Sequence, residues 1–227
     1  MKREELLRSL PAKEHYQFED LSNITALLRG EGGCPWDREQ THESVRRCMI
    51  EEAYEVAEAI DKKDSGLLCE ELGDVLFQVL FHSQIEREAG RFSINDVIDG
   101  ICKKMIHRHP HVFGTAKAES GEAALAQWEA MKSQEKQRTT TYDRLASIPA
   151  ILPALLRAQK VHEKIGEESV KTADKPLDQL LSQYVEKPDE ETLGRLLFTL
   201  TKSAVENGLN AEYALSKATD AVILSTK

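Results

Sequence analysis

The chain has 227 residues, of which 41% are hydrophobic and 30% charged, enough for one large or two small globular domains whose core needs no staples. Its formal net charge of −9 argues against general binding of a nucleic acid polymer, so a phosphate-bearing ligand would need local Lys and Arg residues or a metal ion. No apolar run approaches the roughly 20 residues that span a bilayer, the opening MKREELLRSLPAKEHYQFED has no signal-peptide core, and Cys34, Cys48, Cys69 and Cys102 form no CxxC pair; a cytoplasmic protein with reduced thiols, no membrane association and no zinc site is expected.

Helix signals dominate and strand signals are weak. Val45, Met49, Ala53, Val56, Ala57 and Ile60 recur at three- and four-residue steps, which predicts one helical face over 41–60. The polar run DKKDSG at 61–66 breaks that helix. A second is predicted over 67–89, with Leu68, Leu72, Val75, Leu76, Val79, Leu80 and Ile85 inward and Gly90 as its stop. Ser93 and Asp96 read as a capping-box variant, opening a helix through Val97, Ile98, Ile101 and Met105 that stops ahead of Pro110. A further helix covers 122–136. The stretch QRTTTYDRLASIPAI at 137–151 is polar and without clear periodicity, so a linker is expected there. Helices follow over 153–164, 176–185 and 189–207, and a last one starts at Ala211. Long helices joined by short loops favour an antiparallel bundle. ELGDVLF at 71–77 is echoed by TLGRLLF at 192–198, and each is followed by an amphipathic stretch, a glycine (Gly90, Gly208) and another helix, which predicts two tandem copies of one helical module.

The chemically informative residues are Glu51, Glu52 and Glu55 on one helix and Glu70, Glu71 and Asp74 on the next. A spacing of three places Glu52 with Glu55, and Glu71 with Asp74, on one face each. If the two helices pack antiparallel, four carboxylates converge. Without a cation such a cluster repels itself and its pKa values rise; with a hard divalent cation it becomes a site, and Mg²⁺ takes oxygen ligands at ~2.0–2.1 Å while leaving positions for substrate phosphates. The competing reading is a pair of solvated helix faces, on which ExxE is common. Against it, Glu52 adjoins Met49 and Ala53, Asp74 adjoins Val75, and Gly73 sits inside a long helix at a cost of ~1 kcal/mol relative to Ala, which close helix approach would explain. A di-iron bundle needs Glu-x-x-His on two helices, a spacing not found around Glu52, Glu55 or Glu71.

GCPWD at 33–37, EQT at 39–41, EEAYE at 51–55, EELGD at 70–74, RF at 91–92, RHPHVFG at 108–114, WEAMK at 128–132 and LPALLRAQK at 152–160 together resemble the MazG family of all-α nucleoside triphosphate pyrophosphohydrolases, over most of residues 18–160. The resemblance implies a MazG-like antiparallel helical bundle, dimerising, that hydrolyses nucleoside triphosphates (NTP or dNTP) to nucleoside monophosphate and pyrophosphate with Mg²⁺, Mn²⁺ able to substitute. It implies Glu52, Glu55, Glu71 and Asp74 as metal ligands and catalytic residues, with Glu51 and Glu70 as supports or base candidates. It also places Lys104, Arg108, Trp128 and Lys132 near the nucleotide. Lys104 and Arg108 lie four apart at a helix end and could meet triphosphate oxygens; the competing reading is a surface cation pair beside a core tryptophan. Trp36 and Asp37 open the helical core as a cap or a base contact. His107, His109 and His111 look like a metal cluster, but Pro110 interrupts them and they read as structural residues of a helix end.

The expected organisation is a catalytic module over 1–136, a linker over 137–151 and a degenerate module over 152–227. Aligning Leu72 and Gly73 with Leu193 and Gly194 puts Thr192 in the place of Glu71 and Arg195 in the place of Asp74, and PLDQLLSQYV at 176–185 offers no ExxE. Full-length MazG proteins have two such modules and the second can carry catalysis; this chain departs from that pattern unless a ligand set lies in Glu186, Asp189, Glu190 and Glu191. Two other functional readings stand beside the broad hydrolase: a non-catalytic nucleotide-sensing or scaffolding helical dimer, and a house-cleaning enzyme narrow for one modified dNTP.

Overall fold

The computed structural model describes residues 3–135, 140–165 and 176–226, without the side chain of Ser133. Among them are thirteen α-helices, one 3-10 turn and no strand, which is the all-α class read from the sequence. No helix of the described residues is long and apolar enough to cross a membrane. The chain divides into two compact units, one ending at Lys117 and one beginning at Ala118.

The first unit holds α1 (Arg3–Ser9), a 3-10 turn (Leu10–Ala12), α2 (Phe18–Arg29), α3 (Pro35–Glu39), α4 (His42–Lys62), α5 (Ser65–Glu88), α6 (Ile94–Arg108) and α7 (Pro110–Phe113). Thr41 caps α4: its hydroxyl accepts from the Ser44 N–H, and the Thr41 N–H donates to Ser44 Oγ at 2.9 Å. The helix ends on Lys63 in the left-handed region (φ 54°), and Asp64 at once caps α5 through the N–H groups of Gly66 and Leu67. A two-residue turn leaves α4 and α5 no arrangement but an antiparallel pair, and these two helices pack more extensively than any other pair. Leu10, Val45, Ala59, Leu80 and Phe81 form the buried core. Arg29 fastens it at one end. Its guanidinium lies 5.0 Å from the Phe81 ring centre, donates to the carbonyls of Asp37 (2.5 Å) and Gln40 (3.1 Å) and pairs with Glu88 at 2.8 Å.

The second unit holds α8 (Gly121–Glu135), α9 (Thr141–Ala146), α10 (Ala154–Ile165), α11 (Leu177–Glu186), α12 (Glu190–Glu206) and α13 (Ala211–Leu224). Helix α12 packs on α10 and α11 around Ile148, Ile165, Leu180 and Leu196. Buried Gln159 donates to the Leu209 carbonyl (2.8 Å) and accepts from the Ala211 N–H (2.7 Å), tying the α12–α13 turn to α10.

Four expectations meet differences here. The stretch 137–151, expected as linker, contains α9, because Thr140 and Asp143 form a reciprocal capping box that a polarity reading passes over. The division between the units falls ahead of α8, so α8 groups with the second unit rather than with the expected 1–136 module. On α5 the inward set is too large: Leu72 and Leu76 are 52% and 37% exposed, because the helix is apolar around much of its circumference and α4 covers only part of it. A Cβ on Gly73 would meet nothing within 4 Å, so the close helix approach expected to explain that glycine is not made among the described residues.

Candidate metal centre

The antiparallel α4–α5 pair brings Glu52, Glu55 and Glu71 together: one carboxylate oxygen from each lies within 4.8 Å of the others. Glu52 and Glu71 are half-buried, Glu55 and Asp74 exposed. Lost hydration raises the pKa of Glu52 first, and close contact with Glu55 and the charges of Asp74, Glu55 and Glu71 raise it further. Glu71 is raised by lost hydration and then by Glu55, Glu70 and Asp74. The charges that raise the two groups are all carboxylates. Asp74 adds to this field from beside the triad, whose three oxygens do not include its own. An all-oxygen donor set under unrelieved repulsion fits a hard divalent cation such as Mg²⁺ or Mn²⁺, and softer metals that seek nitrogen or sulfur poorly. It is the one cluster of three or more His, Cys, Asp or Glu ligands found among the described residues.

A raised carboxylate pKa stabilises the fold below the unfolded carboxylate range and works against it once pH exceeds the folded value. At neutral pH the metal-free cluster is therefore a burden on the first unit. Glu52→Gln is expected to raise the metal-free melting temperature by about 1–3 °C. A lower melting temperature in metal-free Glu52→Gln would contradict this.

The other expected site residues lie on several elements. Glu51 is held by Arg47 at 2.6 Å on an exposed face, and Glu70 is exposed beside Glu71. On α6, Lys104 is exposed and Arg108 is 5% exposed. Trp36 stands 60% exposed in α3, whereas neighbouring Asp37 is buried and gives its carbonyl to Arg29. Trp128 and Lys132 lie on α8 in the second unit, the Lys132 ammonium 4.3 Å from the Trp128 ring centre. His109 ends α6 with Nδ1 2.7 Å from the Met105 carbonyl oxygen, the helix-end role read from the sequence. All four cysteines are free thiols.

A second polar cluster joins Arg91 of the RF motif to two residues that the motifs do not mark, His42 and Glu86. Glu86 of α5 accepts from Arg91 Nε (2.5 Å) and Nη2 (2.7 Å) and lies 2.5 Å from His42 Nε2, and these partners hold its carboxyl down to about 2, Arg91 most strongly. Separation by 44 residues in sequence leaves no local signal for the His42–Glu86 contact. A depressed carboxylate pKa stabilises above the unfolded range and is lost as pH falls. Glu86→Gln is thus expected to lower stability at pH 7 and to flatten the loss of stability between about 4.3, the unfolded glutamate value, and about 2. Acid titration of unfolding by circular dichroism checks this; an unchanged slope contradicts it.

Fold and site together define an all-helical protein with a cluster of carboxylates between two antiparallel helices. The model of the MazG nucleotide pyrophosphohydrolase domain matches residues 40–113. The nucleoside triphosphate pyrophosphohydrolase/pyrophosphatase MazG of Thermotoga maritima is 41% identical over 211 residues, 89% of this chain and 81% of that protein. The nucleoside triphosphate pyrophosphohydrolase of Escherichia coli K12 is 37% identical over 219 residues, 90% and 83% of the two chains. The uncharacterized protein YabN of Bacillus subtilis is 48% identical over 146 residues, which are 63% of this chain and 30% of YabN, so the chain spans less than a third of that relative. This chain belongs to the MazG family of nucleotide pyrophosphohydrolases.

Proposed function

We propose that the protein hydrolyses nucleoside triphosphates, NTP or dNTP, to nucleoside monophosphate and pyrophosphate, with Mg²⁺ held by Glu52, Glu55, Glu71 and Asp74 and Mn²⁺ able to replace it. The observation that carries this reading is the convergence of Glu52, Glu55 and Glu71 from two helices, with the pKa of Glu52 and Glu71 pushed up by lost hydration and then by neighbouring carboxylates. When bound, Mg²⁺ supplies neutralising charge for phosphate oxygens and acidifies water. Glu52 and Glu71 face each other across the helix pair with their hydration already reduced, so little water must be stripped from them when a cation arrives. Exposed Glu55 and Asp74 border the open side, where phosphates can approach. Lys104 and Arg108, one turn apart on α6, offset charge on the triphosphate. Trp128 and Lys132 serve the nucleoside by family resemblance, their stack being a ready cation–aromatic unit, and exposed Trp36 is a further base contact.

The same reading assigns catalysis to the module over 1–136 and none to 152–227. Thr192, in the place of Glu71, is spent in a capping box with Asp189 at the start of α12, and Arg195 replaces Asp74. Asp189 has its pKa lowered to about 2, first by Lys187 and then by Thr192, the opposite of a repelling ligand cluster, which argues against a ligand set in Glu186, Asp189, Glu190 and Glu191. The exposed face of Ile50, Tyr54, Leu72 and Leu76 along α4 and α5, with Gly73 open between the last two, supports a homodimer. We place this dimer in the cytoplasm, acting on free nucleotides rather than on nucleic acid polymers or membranes.

A panel of NTPs, dNTPs and modified dNTPs, assayed for pyrophosphate in Mg²⁺ and in EDTA, tests the proposal. Comparable Mg²⁺-dependent release across the panel supports the broad enzyme, and a preference for one modified dNTP of about 10²-fold or more (~2.7 kcal/mol) supports a narrow one. Release from none of them overturns the proposal in favour of a sensing or scaffolding dimer.

A further inference from the structure

His42, the first residue of α4, and His82, near the C-terminal end of α5, meet with their Nδ1 atoms 2.7 Å apart and their ring planes 5° from parallel. At that separation one nitrogen donates and the other accepts, so one hydrogen lies between them. The far nitrogen of His42, Nε2, lies 2.5 Å from Glu86, an ionised carboxylate that only accepts, so Nε2 carries a hydrogen.

Two protonation states satisfy all of these bonds. In the neutral pair, His82 donates from Nδ1 to the bare Nδ1 of His42. In the singly charged pair, a proton from solvent is taken up at His82 Nε2 and the shared hydrogen passes to His42 Nδ1; His42 becomes the imidazolium, paired with Glu86, and His82 stays neutral. A third state, with both rings charged, has no such solution. The remaining lone pair is the accepting Nδ1 of His82, so the second proton takes the place of the hydrogen bond and sets two N–H groups and two positive charges against each other.

We propose that His42 and His82 form a one-proton clasp between the start of α4 and the end of α5, closed while the pair holds at most one charge and opened by the second. The charged groups around it fit this assignment. Glu43 and Arg46 flank His42 on α4, Glu86 and Arg91 hold its other side, and on α2 Arg29 is occupied with Glu88. Among the described residues no hydrogen bond from α2 or α6 reaches either ring. Burial first, and then the charge of His42, push the His82 pKa below the ordinary imidazole value. Glu86 remains ionised down to about 2, so it does not change charge where imidazoles titrate. A depressed histidine pKa contributes stability above the unfolded imidazole value, about 6.5, and loses it as pH falls toward the folded value. Acidification is therefore expected to release the first turn of α4, about three turns ahead of Glu52. The clasp does not depend on the metal-site reading and stands or falls without it.

Nitrogen-15 NMR of the full chain tests it directly. The expected result is scalar coupling between the two Nδ1 nuclei at pH 7, retained through the first protonation and lost with the second, which comes below the ordinary imidazole range. In His82→Phe, which keeps a ring and removes the nitrogens, the fall in melting temperature between pH 7 and pH 5 is expected to be no more than half that of the wild type; the other histidines cancel in the comparison. If the variant does not fold, the wild-type coupling decides alone. Absent coupling, two independent titrations at ordinary imidazole values, or an undiminished fall in His82→Phe would each overturn the clasp.

Discussion

Glu52→Ala and Glu71→Ala are each expected to lower Mg²⁺-dependent turnover by about 10²-fold or more, a loss of the size seen when one electrostatic stabiliser is removed from an active site. Each change takes away one of the three converging oxygens, and the two come from different helices, so neither neighbour can take the other's place. Glu55→Ala is expected to match them, and Asp74→Ala to cost less, because Asp74 acts on the triad from beside it. The loss is not one of folding. Both residues carry raised pKa values under like-charge repulsion, so removing either relieves strain in the metal-free protein. Steady-state kinetics, together with melting curves in EDTA, separate the two effects. Wild-type turnover in either variant would remove the metal centre from the chemistry.

Arg29→Ala is expected to be the most disruptive change outside that centre, destabilising the first unit by about 3 kcal/mol and lowering its melting temperature by about 10 °C. The guanidinium is 5% exposed and holds the carbonyls of Asp37 and Gln40, which otherwise cap the short α3, as well as Glu88 and the Phe81 ring. Truncation takes the Arg29 donor from the Gln40 carbonyl, at roughly 1–3 kcal/mol before water relaxes it, and leaves the Asp37 carbonyl with only the 3.3 Å bond from the Gln40 N–H. The Glu88 pair adds little, since that carboxylate is 36% exposed and rehydrates. Arg29→Lys is expected to rescue only a minor part, because one ammonium does not reproduce the planar fork that reaches three partners. Hydrogen exchange in α2 and α5 reads the effect on the first unit separately from the second. A loss below about 1 kcal/mol would show that the carbonyls find water at no cost.

Sequence spacing carried the middle of the chain well. The helix expected over 41–60 is His42–Lys62, and the one expected over 67–89 is Ser65–Glu88. Their ends are written in local chemistry: the Thr41 and Asp64 caps, and the glycine that follows α5. The carboxylate triad was legible for the same reason. Its members are paired at helical spacing, and a two-residue turn fixes how the helices face each other. Other features had no such signature. Helix α2 was not read, although Gln17 and Asp20 cap it reciprocally, because glutamine is an uncommon cap. The exposure of Leu72 and Leu76 depends on which neighbour covers each side of α5, which periodicity does not encode. Arg29 with Glu88 and His42 with Glu86 are bonds across 59 and 44 residues between side chains that read as solvent-facing.

The most direct measurement of the central claim is phosphorus-31 NMR of a nucleoside triphosphate incubated with the full chain and Mg²⁺. The expected result is nucleoside monophosphate and pyrophosphate appearing together in equal amounts from a single cut, stopped by EDTA and reduced about 10²-fold in Glu52→Ala. Nucleoside diphosphate with orthophosphate as products, or release that survives both EDTA and Glu52→Ala, would contradict it.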